Sequence, residues 1–352
     1  MSELDVQGPA CPLPLPHEQQ IVLGHGSGGR MSHELIERVF MPAFENPLLR
    51  AANDGAILSA DGRTRLVIST DSHVVWPLFF PGGDIGRLAI CGTVNDVAMM
   101  GARPLYLSAG FILEEGLEIE TLRHVLDSMQ RAAEEAGVQI VAGDTKVVQR
   151  GHADGLYINT CGIGLLELEV APGGERARPG DVIILSGSIG EHGLAVLAAR
   201  GELGLESTIQ SDVAPLNHLV AAMFKVTSEI HVLRDPTRGG LATTLNEIAR
   251  QSRVCLWIEE ERIPIRAEVQ AACELLGFDP LYIANEGKLV AILPKEHASE
   301  VLEAMHRERY GEGAVIIGEV RPEPQGKVLL RTSFGSTRLV DMLPGEMLPR
   351  IC

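Results

Sequence analysis

TVNDVAMMGARP, residues 93–104, ends an apolar helix and leads into an apolar strand. Upstream, IGRLAICGTVNDVAMM (85–100) places small residues on one side of a helical repeat, which predicts a buried helix. Downstream, PLYLSAGFIL (104–113) predicts a strand. The polar pair Asn95-Asp96 abuts this apolar run. The stretch therefore predicts a mixed α/β or α+β fold, with polar chemistry at the end of a buried helix.

The alternation of strands and helices continues on both sides of this stretch. In the first half we predict strands at 65–70, 138–144 and 156–166 and helices at 32–40 and 121–137, the last with Thr121 as N-cap and Gly137 as stop. A linker rich in Gly and Pro, 170–181, separates a second set of alternating elements, whose last predicted strand is 327–332. The predicted organisation is an irregular extension over 1–20, an N-terminal domain over 21–170, a C-terminal α/β domain over 171–341 and a flexible tail over 342–352.

Composition limits the classes of function. The 352 residues are 45% hydrophobic, which suffices for two packed domains, and the net charge of −17 argues against a general nucleic-acid surface. The first residues lack the basic and apolar regions of a signal peptide, and no apolar stretch reaches the length of a membrane helix. We therefore expect a cytoplasmic protein that binds neither nucleic acid nor membrane.

The six cysteines are scattered singly, without the paired spacing of a metal site. Cys11 lies in the Pro-rich first twenty residues, and Cys352 ends the chain in LPRIC; both are expected to be exposed. A terminal cysteine can be a matter of chance. It can also be one nucleophilic atom on a mobile arm, because termini are usually mobile unless something holds them.

Glycines 24, 26 and 29 match the pattern GxGxxG within GHGSGG (24–29). The match is weak, since a dinucleotide-binding fold would need an acidic residue at the end of a second strand about twenty residues further on. Glu45 stands instead in a stretch rich in Pro and Asn. The loop is either a structural turn or a flexible cover whose backbone N–H groups lie over phosphates.

A stronger signal comes from carboxylates next to apolar runs: Asp71, Asp96 beside Asn95, and Asp144. Mg²⁺ prefers a few carboxylates together with phosphate and water oxygens, so three Asp from separate segments could hold it against a triphosphate. The alternative is that each Asp caps a helix or starts a turn. Their joint context favours the metal.

Six motifs in order connect the chain to a known family: STDSHVV (69–75), NDVAMMGARP (95–104), GDTKVV (143–148), DPTRGGLA (235–242), ANEGKLV (284–290) and the terminal PRIC (349–352). The first five resemble the aminoimidazole ribonucleotide synthetase (PurM-like) superfamily of ATP-binding proteins. GDTKV, NEGKL and PRIC together resemble its carbamoyl dehydratases of hydrogenase maturation. The resemblance covers about 21–352.

Other members of that superfamily fit less well. Selenophosphate synthetases have a nucleophilic Cys or Sec followed by Lys near the glycine loop, and GHGSGGRMS has neither. Cys11 lies upstream without a nearby Lys. The purine enzymes need no terminal cysteine. Thiamine monophosphate kinase remains the enzyme alternative, and PRIC counts against it.

The resemblance implies a fold, a reaction and partners. The fold would be an N-terminal mixed domain that forms a β-barrel with a second subunit, followed by an α/β domain, in a homodimer with ATP and Mg²⁺ at the interface. A HypF-like carbamoyltransferase would load a carbamoyl group onto the terminal cysteine. The enzyme would dehydrate it with ATP to a thiocyanate, and the cyanide would pass to iron on a HypC–HypD complex for NiFe-hydrogenase.

Residue roles follow from that implied chemistry. The dehydration needs cations for the transferred phosphate, a base for the nitrogen proton and an enclosed site. The expected ligands of Mg²⁺ and triphosphate are Asp71, Asp96 and Asp144, with Asn95 assisting, while the loop Gly26, Ser27, Gly28 and Gly29 covers the phosphates.

The catalytic candidates are Cys352, Lys146 and Glu286. Lys146 follows Asp144 by two positions, so on an extended segment both share a face, and Lys146 could stabilise the transferred phosphoryl group. Glu286 is the candidate base, because burial would raise its pKa towards a useful range. His73 is a weaker candidate base, and Arg238 either binds phosphate or anchors a helix start.

Cys352 would be both carrier and substrate, on an arm that Pro344, Gly345 and Pro349 keep non-helical. Two other classes remain open: a nucleotide-responsive scaffold whose tail docks a partner, and an enzyme acting on a free small molecule. The acid set with Lys146 and Glu286 favours a dehydratase, since a scaffold needs no base.

Overall fold

Two sheets, one in each half of the chain, organise the protein. A computed structural model describes residues 20–59, 61–201, 208–343, 348 and 350–352. All but the last residue of the predicted extension 1–20, with Cys11, lies outside the described residues, as do Pro344, Gly345 and Pro349 of the predicted tail. Within the described ranges, no helix combines the length and apolar character needed to cross a membrane.

The first half contains a five-stranded sheet with helices on one face. In chain order, the described strands of this half are β1 (Ala56–Ser59), β2 (Arg65–His73), β3 (Phe79–Phe80), β4 (Gly83–Asp84), β5 (Arg103–Glu114), β6 (Gln139–Val148) and β7 (Leu156–Leu165). The sheet order is β1-β2-β7-β5-β6, and β3 pairs with β4 separately. The β5–β6 pair is parallel, and the other pairs of the sheet are antiparallel.

Five helices accompany these strands: α1 (Arg30–Leu35), α2 (Met41–Phe44), α3 (Pro47–Arg50), α4 (Ile85–Met99) and α5 (Ile119–Ala136). A π-helical stretch, Ile36–Phe40, joins α1 to α2, and a 3₁₀ turn, Leu23–Gly26, precedes them. The predicted helix at 32–40 is thus part of a longer helical run.

Helix α4 confirms the buried helix predicted from the opening stretch. Asp84 caps it, because its Oδ1 accepts hydrogen bonds from the backbone N–H groups of Gly86 (2.7 Å) and Arg87 (3.1 Å). Most of its residues are buried. A Cβ on Gly86 would lie 2.4 Å from the carbonyl oxygen of Val125, so glycine lets α4 approach α5 closely.

The second half contains a seven-stranded sheet. Its strands are β8 (Asp181–Leu185), β9 (Val232–Arg234), β10 (Cys255–Glu259), β11 (Val290–Pro294), β12 (Val315–Arg321), β13 (Lys327–Arg331) and β14 (Thr337–Val340), in the order β14-β13-β10-β12-β8-β11-β9. Its helices are α6 (Glu191–Ala199), α7 (Asn217–Val226), α8 (Gly240–Ser252), α9 (Ala267–Leu276) and α10 (Ala298–His306). One core cluster includes α8 residues and another includes α7 and α10 residues, so the sheet is covered on both faces, which fits the predicted α/β class.

Several local predictions were wrong. The strand predicted to end at Asp144 continues to Val148, so the segment read as a polar loop belongs to β6. The N-cap position of α5 is Glu118 rather than Thr121, although Gly137 ends the helix as predicted, with a φ of +70°. Beyond the last predicted strand, β14 pairs antiparallel with β13.

Polar contacts join the two halves around α4. The Arg87 guanidinium donates to the Val213 carbonyl (3.0 Å) and to Glu135 of α5 (2.7 Å), and Glu135 also accepts from the Tyr310 hydroxyl. Asn95 is buried, and its Nδ2 donates to the Ala214 carbonyl at 3.0 Å. Helix α4 of the first domain is therefore fixed against the second domain by these hydrogen bonds.

Candidate active site

A polar cavity of about 250 Å³ lies between the two domains. The first domain contributes Ser69, Thr70 and Asp71 from β2, Gly92 and Asp96 from α4, and Asp54 and Gly28 from the segments before β1 and α1. The second contributes Arg234, Asp235, Thr237 and Arg238, Thr243, Thr244 and Glu247 of α8, Glu286 and the terminal Cys352. Five of the sequence-predicted site residues therefore line one space: Gly28, Asp71, Asp96, Glu286 and Cys352.

Asp71 and Asp96 enter the cavity from adjoining elements. Asp71 lies within β2, paired with Thr160 of β7, and its side chain is about one-third exposed. Asp96 lies near the end of α4, and its Oδ2 accepts a hydrogen bond from Ser69 Oγ at 2.7 Å. A strand and a helix that pack together thus present both carboxylates to the same space.

Sequence reasoning missed a second set of charged residues in this wall. Asp54 and Glu247 both pair with Arg234, whose Nε lies 3.1 Å from Asp54 Oδ1. Asp235 directly follows Arg234 and is 9% exposed. Asp235 opens the DPTRGG motif, so the motif itself was a usable signal for it; Asp54, in NDG, resembles an ordinary turn residue.

The enclosed carboxyl groups favour their protonated forms. Burial, reinforced by neighbouring carboxylates, raises the pKa of Asp96 well above its usual range. Burial likewise raises the pKa of Asp54 to about 6 and that of Asp235 to about 7, with Arg234 opposing both shifts. An enclosed group of acids that resists ionisation is stabilised by a cation, which would release its protons.

Glu286 lies at the second-domain side of the cavity. It is 4% exposed, and its Oε1 is buried without a hydrogen-bond partner among the described residues. Burial, followed by the charges of Asp235, Asp71 and Asp212, raises the pKa of Glu286 well above its usual range, while Arg238 lowers it. Such a carboxyl group becomes a stronger base once it is ionised.

The loop around Glu286 is held rigidly by Asp212. The Asp212 carboxylate accepts hydrogen bonds from the backbone N–H groups of Glu286 (3.1 Å) and Gly287 (3.3 Å), and it pairs with Lys288 Nζ at 3.2 Å. A Cβ on Gly287 would lie 1.8 Å from the Asp212 carbonyl oxygen, so only glycine fits there. The NEGK segment thus places Glu286 through its backbone.

The glycine loop borders a second, smaller cavity of about 150 Å³. Gly26, Ser27 and Gly29 line it, whereas Gly28 lines the larger cavity. Arg238 and Cys352 line both. Gly28 has a φ of +75°, and a Cβ there would lie 2.9 Å from the Arg238 side chain. The loop therefore lies against the point where the two cavities meet.

Arg238 is the cation nearest this junction. Its Nη1 donates to the Gly26 carbonyl oxygen at 3.3 Å. The negative charge at Cys352, followed by Asp71 and Glu286, raises its pKa, against the opposing effect of burial. A guanidinium held between the chain terminus and the acid wall is suited to bind an anionic group there.

The described end of the tail is docked. Leu348 and Ile351 are each 7% exposed, and Cys352 is half-buried, which corrects the expectation of an exposed terminal cysteine. A terminal carboxylate oxygen of Cys352 accepts a hydrogen bond from the backbone N–H of Val74 at 3.0 Å. The terminal residue is therefore held at both cavities by backbone pairing and apolar burial.

Four of the predicted residues lie elsewhere. The Asn95 amide is engaged with backbone groups, since Oδ1 accepts from Leu216 N at 2.8 Å in addition to the Ala214 contact. Asp144 and Lys146 pair with each other on β6, with Nζ 2.7 Å from Oδ1, and their side chains are 69% and 68% exposed. His73 is buried behind Asp71, its Nε2 3.8 Å from Asp71 Oδ2, and burial lowers its pKa.

The lining suits Mg²⁺ bound together with a nucleotide better than a bare metal ion. In the part of the chain that the structure describes, no three His, Cys, Asp or Glu side chains converge to hold a metal ion by themselves. Mg²⁺ takes one or two carboxylates and completes its shell with phosphate and water oxygens. Asp71 and Asp96, with Asp54 and Asp235 nearby, supply the carboxylates for that arrangement.

Comparison with known proteins identifies the class. Residues 52–166 match the family described as AIR synthase related protein, N-terminal domain, and residues 178–331 match its C-terminal domain. A solved thiamine monophosphate kinase from Aquifex aeolicus shares the fold at 20% identity, with a TM-score of 0.63 over 88% of this chain and 99% of that one. The two domains and the cavity between them thus define an AIR synthase related, PurM-like protein.

Closer relatives identify the family. The chain is 54% identical over 333 residues to carbamoyl dehydratase HypE of Cupriavidus necator, covering 95% of each chain. It is 47% identical over 337 residues to carbamoyl dehydratase HypE of Escherichia coli K12, covering 94% of this chain and 99% of that one. The chain belongs to the HypE family, the carbamoyl dehydratases of hydrogenase maturation, which confirms the resemblance inferred from its motifs.

Solved structures agree with this assignment. A crystal structure of a HypE–HypF complex superposes with a TM-score of 0.83 at 48% identity, covering 88% of this chain and 99% of that one. A crystal structure of HypE in complex with ATP gives a TM-score of 0.79 at 52% identity, covering 95% of this chain and all of that one.

Proposed function

We propose that the protein uses ATP with Mg²⁺ to dehydrate an S-carbamoyl group on its own Cys352 to a thiocyanate. The cyanide would then be donated to iron during maturation of NiFe-hydrogenase. The observation that supports this most strongly is that Cys352 lines one cavity with the candidate base Glu286 and the acid wall of Asp71 and Asp96. A relative solved with ATP supports the choice of nucleotide.

The reaction balances as a phosphorylation followed by an elimination. The carbamoyl oxygen of R–S–C(=O)NH₂ takes the γ-phosphoryl group of ATP while the nitrogen loses its first proton, which gives ADP and R–S–C(OPO₃²⁻)=NH and converts a poor leaving group into a good one. Loss of inorganic phosphate and of the remaining nitrogen proton then leaves R–S–C≡N. ATP with Mg²⁺ supplies the phosphoryl group; the protein must hold the thiocarbamate, accept protons and exclude water.

Residues of the cavity divide these tasks. Glu286, which is buried and has no partner for Oε1 among the described residues, accepts the nitrogen proton. Asp71 and Asp96 hold Mg²⁺, joined by Asp54 or Asp235 from the same wall. Arg238, which lines both cavities, stabilises the phosphate that leaves.

The glycine loop is placed to cover the phosphates. Gly26, Ser27 and Gly29 line the smaller cavity, and Gly28 lines the larger one. Gly28 N donates to Ser32 Oγ (2.9 Å) and Gly29 N to Ser27 Oγ (3.2 Å). These local bonds can be exchanged for bonds to phosphate oxygens, as expected for a flexible phosphate-binding loop.

Lys146 and Asp144 act, in this proposal, across a homodimer. Among the described residues β6 pairs with β5 alone, and the apolar side chains of Ile140, Val141 and Val147 on β6 are exposed. A second copy pairing along this edge would build the predicted intersubunit barrel and cover the apolar surface. It would also remove the Asp144–Lys146 pair from solvent and bring it to a subunit interface, where ATP is expected.

Two macromolecular partners complete the proposal. A HypF-like carbamoyltransferase would load Cys352, which the HypE–HypF complex of a relative supports. A HypC–HypD complex would receive the cyanide on iron. A cytoplasmic location remains a prediction from the sequence.

Intact-protein mass spectrometry tests the central claim. The chain is incubated with its carbamoyltransferase, carbamoyl phosphate and MgATP, alongside Cys352→Ala. A carbamoyl adduct that then loses one water in the wild type, with no adduct in the variant, supports the thiocyanate route. An unmodified wild-type chain beside a demonstrably active transferase would rule it out. If Cys352→Ala kept its ATP turnover on a free substrate, the small-molecule alternative would replace it.

A further inference from the structure

Several side chains outside the two cavities contact the backbone of the tail. The tail pairs with residues 74–76 through two hydrogen bonds: Val74 N donates to a terminal carboxylate oxygen of Cys352 (3.0 Å), and Trp76 N donates to the Arg350 carbonyl (3.2 Å). This two-residue spacing is that of a short strand pair. It aligns the last three residues but leaves the intervening carbonyl, that of Ile351, to another partner.

Two side chains complete the tail's backbone contacts from α6, His192 and Arg200. His192 Nε2 lies 2.6 Å from the Ile351 carbonyl oxygen, so this nitrogen donates. Arg200, at the C-terminal end of α6, donates from Nη2 to the Arg350 carbonyl and from Nε to the Trp76 carbonyl, each at 3.0 Å. The Arg200 guanidinium thereby bridges the tail and the segment with which the tail pairs.

Side-chain contacts add a second layer. Arg350 forms an ion pair with Asp154, in the loop between β6 and β7, and its Nε donates to the Val74 carbonyl at 3.2 Å. Leu348 packs against α6 at Gly193, where a Cβ would lie 3.2 Å from Leu348 Cδ1. These contacts hold the arm behind its tip, while Cys352 faces the two cavities.

We infer that His192, Arg200 and Asp154 form a latch of positioning residues that holds the loaded tail in the cavity during dehydration. This inference rests on the proposed function of Cys352. Because His192 and Arg200 bind carbonyl oxygens of the tail and not its tip, they hold it equally whether the sulfur is free, carbamoylated or cyanated. The latch therefore acts through the arm and touches none of the reacting atoms.

The first test measures the docked tail without any chemistry of the proposed reaction. The full chain is treated with N-ethylmaleimide, and labelling of each cysteine is followed by peptide mass spectrometry. Arg200→Ala should raise the rate at Cys352 about tenfold or more, as expected for the loss of charge-assisted hydrogen bonds. Arg123→Ala, another surface arginine with an ion pair outside the latch, is the matched control and should not change it.

Internal and conservative controls separate release from unfolding. Cys91 is fully buried in α4, so its labelling must stay slow if the variant is folded. Asp154→Asn, at a half-exposed position, removes the ion pair with Arg350 at no cost in volume, and it should also speed labelling of Cys352. His192→Asn keeps a donor for the Ile351 carbonyl and should lie between wild type and His192→Ala.

The second test separates the two half-reactions. Loading by the carbamoyltransferase requires the tail outside the cavity, so it should be unchanged or faster in Arg200→Ala and Asp154→Asn. Dehydration of preloaded protein with MgATP in a single turnover should slow by the factor by which the docked fraction falls. A merely structural defect would slow both steps together.

The outcomes distinguish the two claims. If Cys352 is labelled at the wild-type rate in both Arg200→Ala and Asp154→Asn, the latch is refuted, whether or not the dehydration rate changes. Faster labelling with wild-type dehydration would overturn its positioning role. Failure of the wild type to acquire a carbamoyl group would refute the proposed function, and the labelling rates would still decide whether the tail is latched.

Discussion

Replacement of Arg234 by Met should strongly destabilise the protein. The guanidinium contacts Asp54 (Nε–Oδ1, 3.1 Å) and Glu247, and it also donates to the Ala52 carbonyl at 3.2 Å. The side chains of Arg234 and Asp54 are both 12% exposed, and that of Glu247 is 17% exposed. Methionine keeps much of the volume but leaves two buried carboxylates without their shared cation.

The expected loss follows from that burial. Removing one partner of a buried ion pair costs about 3–5 kcal/mol, because the remaining charge is neither solvated nor compensated. Burial already raises the pKa of Asp54 to about 6 with Arg234 present, and Arg234→Met would raise it further. A carboxyl group with a raised pKa destabilises the fold as the pH rises through that pKa, so the loss should be larger at pH 8 than at pH 5.

Urea denaturation followed by tryptophan fluorescence measures this loss, since Trp76 and Trp257 report on different domains. The double variant Arg234→Met/Asp54→Asn is the matched control. It should recover part of the stability, because Asp54→Asn removes one of the two uncompensated charges. The other, Glu247, retains its contact with His33 (2.9 Å). A loss below about 1 kcal/mol, or an equal loss at pH 5 and pH 8, would show that this ion pair is not the buried tie inferred here.

Three further changes probe catalysis, the β6 edge and the tail. Glu286→Gln should slow single-turnover dehydration about 10²–10⁴-fold and leave carbamoyl loading intact; equal rates would exclude Glu286 as the base. Lys146→Ala should change the free energy of unfolding by less than about 0.5 kcal/mol, because this side chain is 68% exposed, yet lower ATP-dependent turnover; full activity would remove it from the mechanism. Burial lowers the pKa of His192 below its usual 6.5, so below pH 6.5 the unfolded state takes up a proton that the folded state resists. The melting temperature of the wild type should therefore fall more between pH 8 and pH 5.5 than that of His192→Asn, and parallel profiles of melting temperature against pH would contradict this.

Local patterns predicted the central elements well. Helix α4 was predicted almost to its ends, because small and apolar residues recur along it. Strand β6 was cut short at Asp144, because polar residues on an exposed edge strand resemble a loop. Periodicity reports burial, so it failed where a strand is exposed in the single chain.

The site was predictable where chemistry follows directly from residue type. Asp71, Asp96, Glu286 and Cys352 were expected from their motifs, and the structure brings them to one cavity. Arg234, by contrast, precedes the DPTRGG motif and gives no signal of its own, because its importance comes from partners in other elements.

The latch residues gave even less signal in the sequence. His192 bonds a carbonyl 159 positions away along the chain, and Arg200 bonds one 150 positions away. Every residue has a carbonyl group, so a side chain that binds a backbone carbonyl does not require any particular residue type in the segment that it contacts. Only the folded chain shows which carbonyl groups lie within reach.

The two domains together impose an electrostatic problem that the proposed ligand would solve. Asp71 and Asp96 come from the first domain, and Asp235 and Glu286 from the second, so the cavity forms only when the domains press like charges together. Asn95 and Arg234 each bond across the domain boundary, and burial there raises the pKa values of Asp96 and Glu286 and favours their protonated forms. A bound cation would let them ionise, and Glu286 would then become an effective base. On this reasoning the enclosure that protects the intermediate also keeps the base inactive until Mg²⁺ and nucleotide arrive.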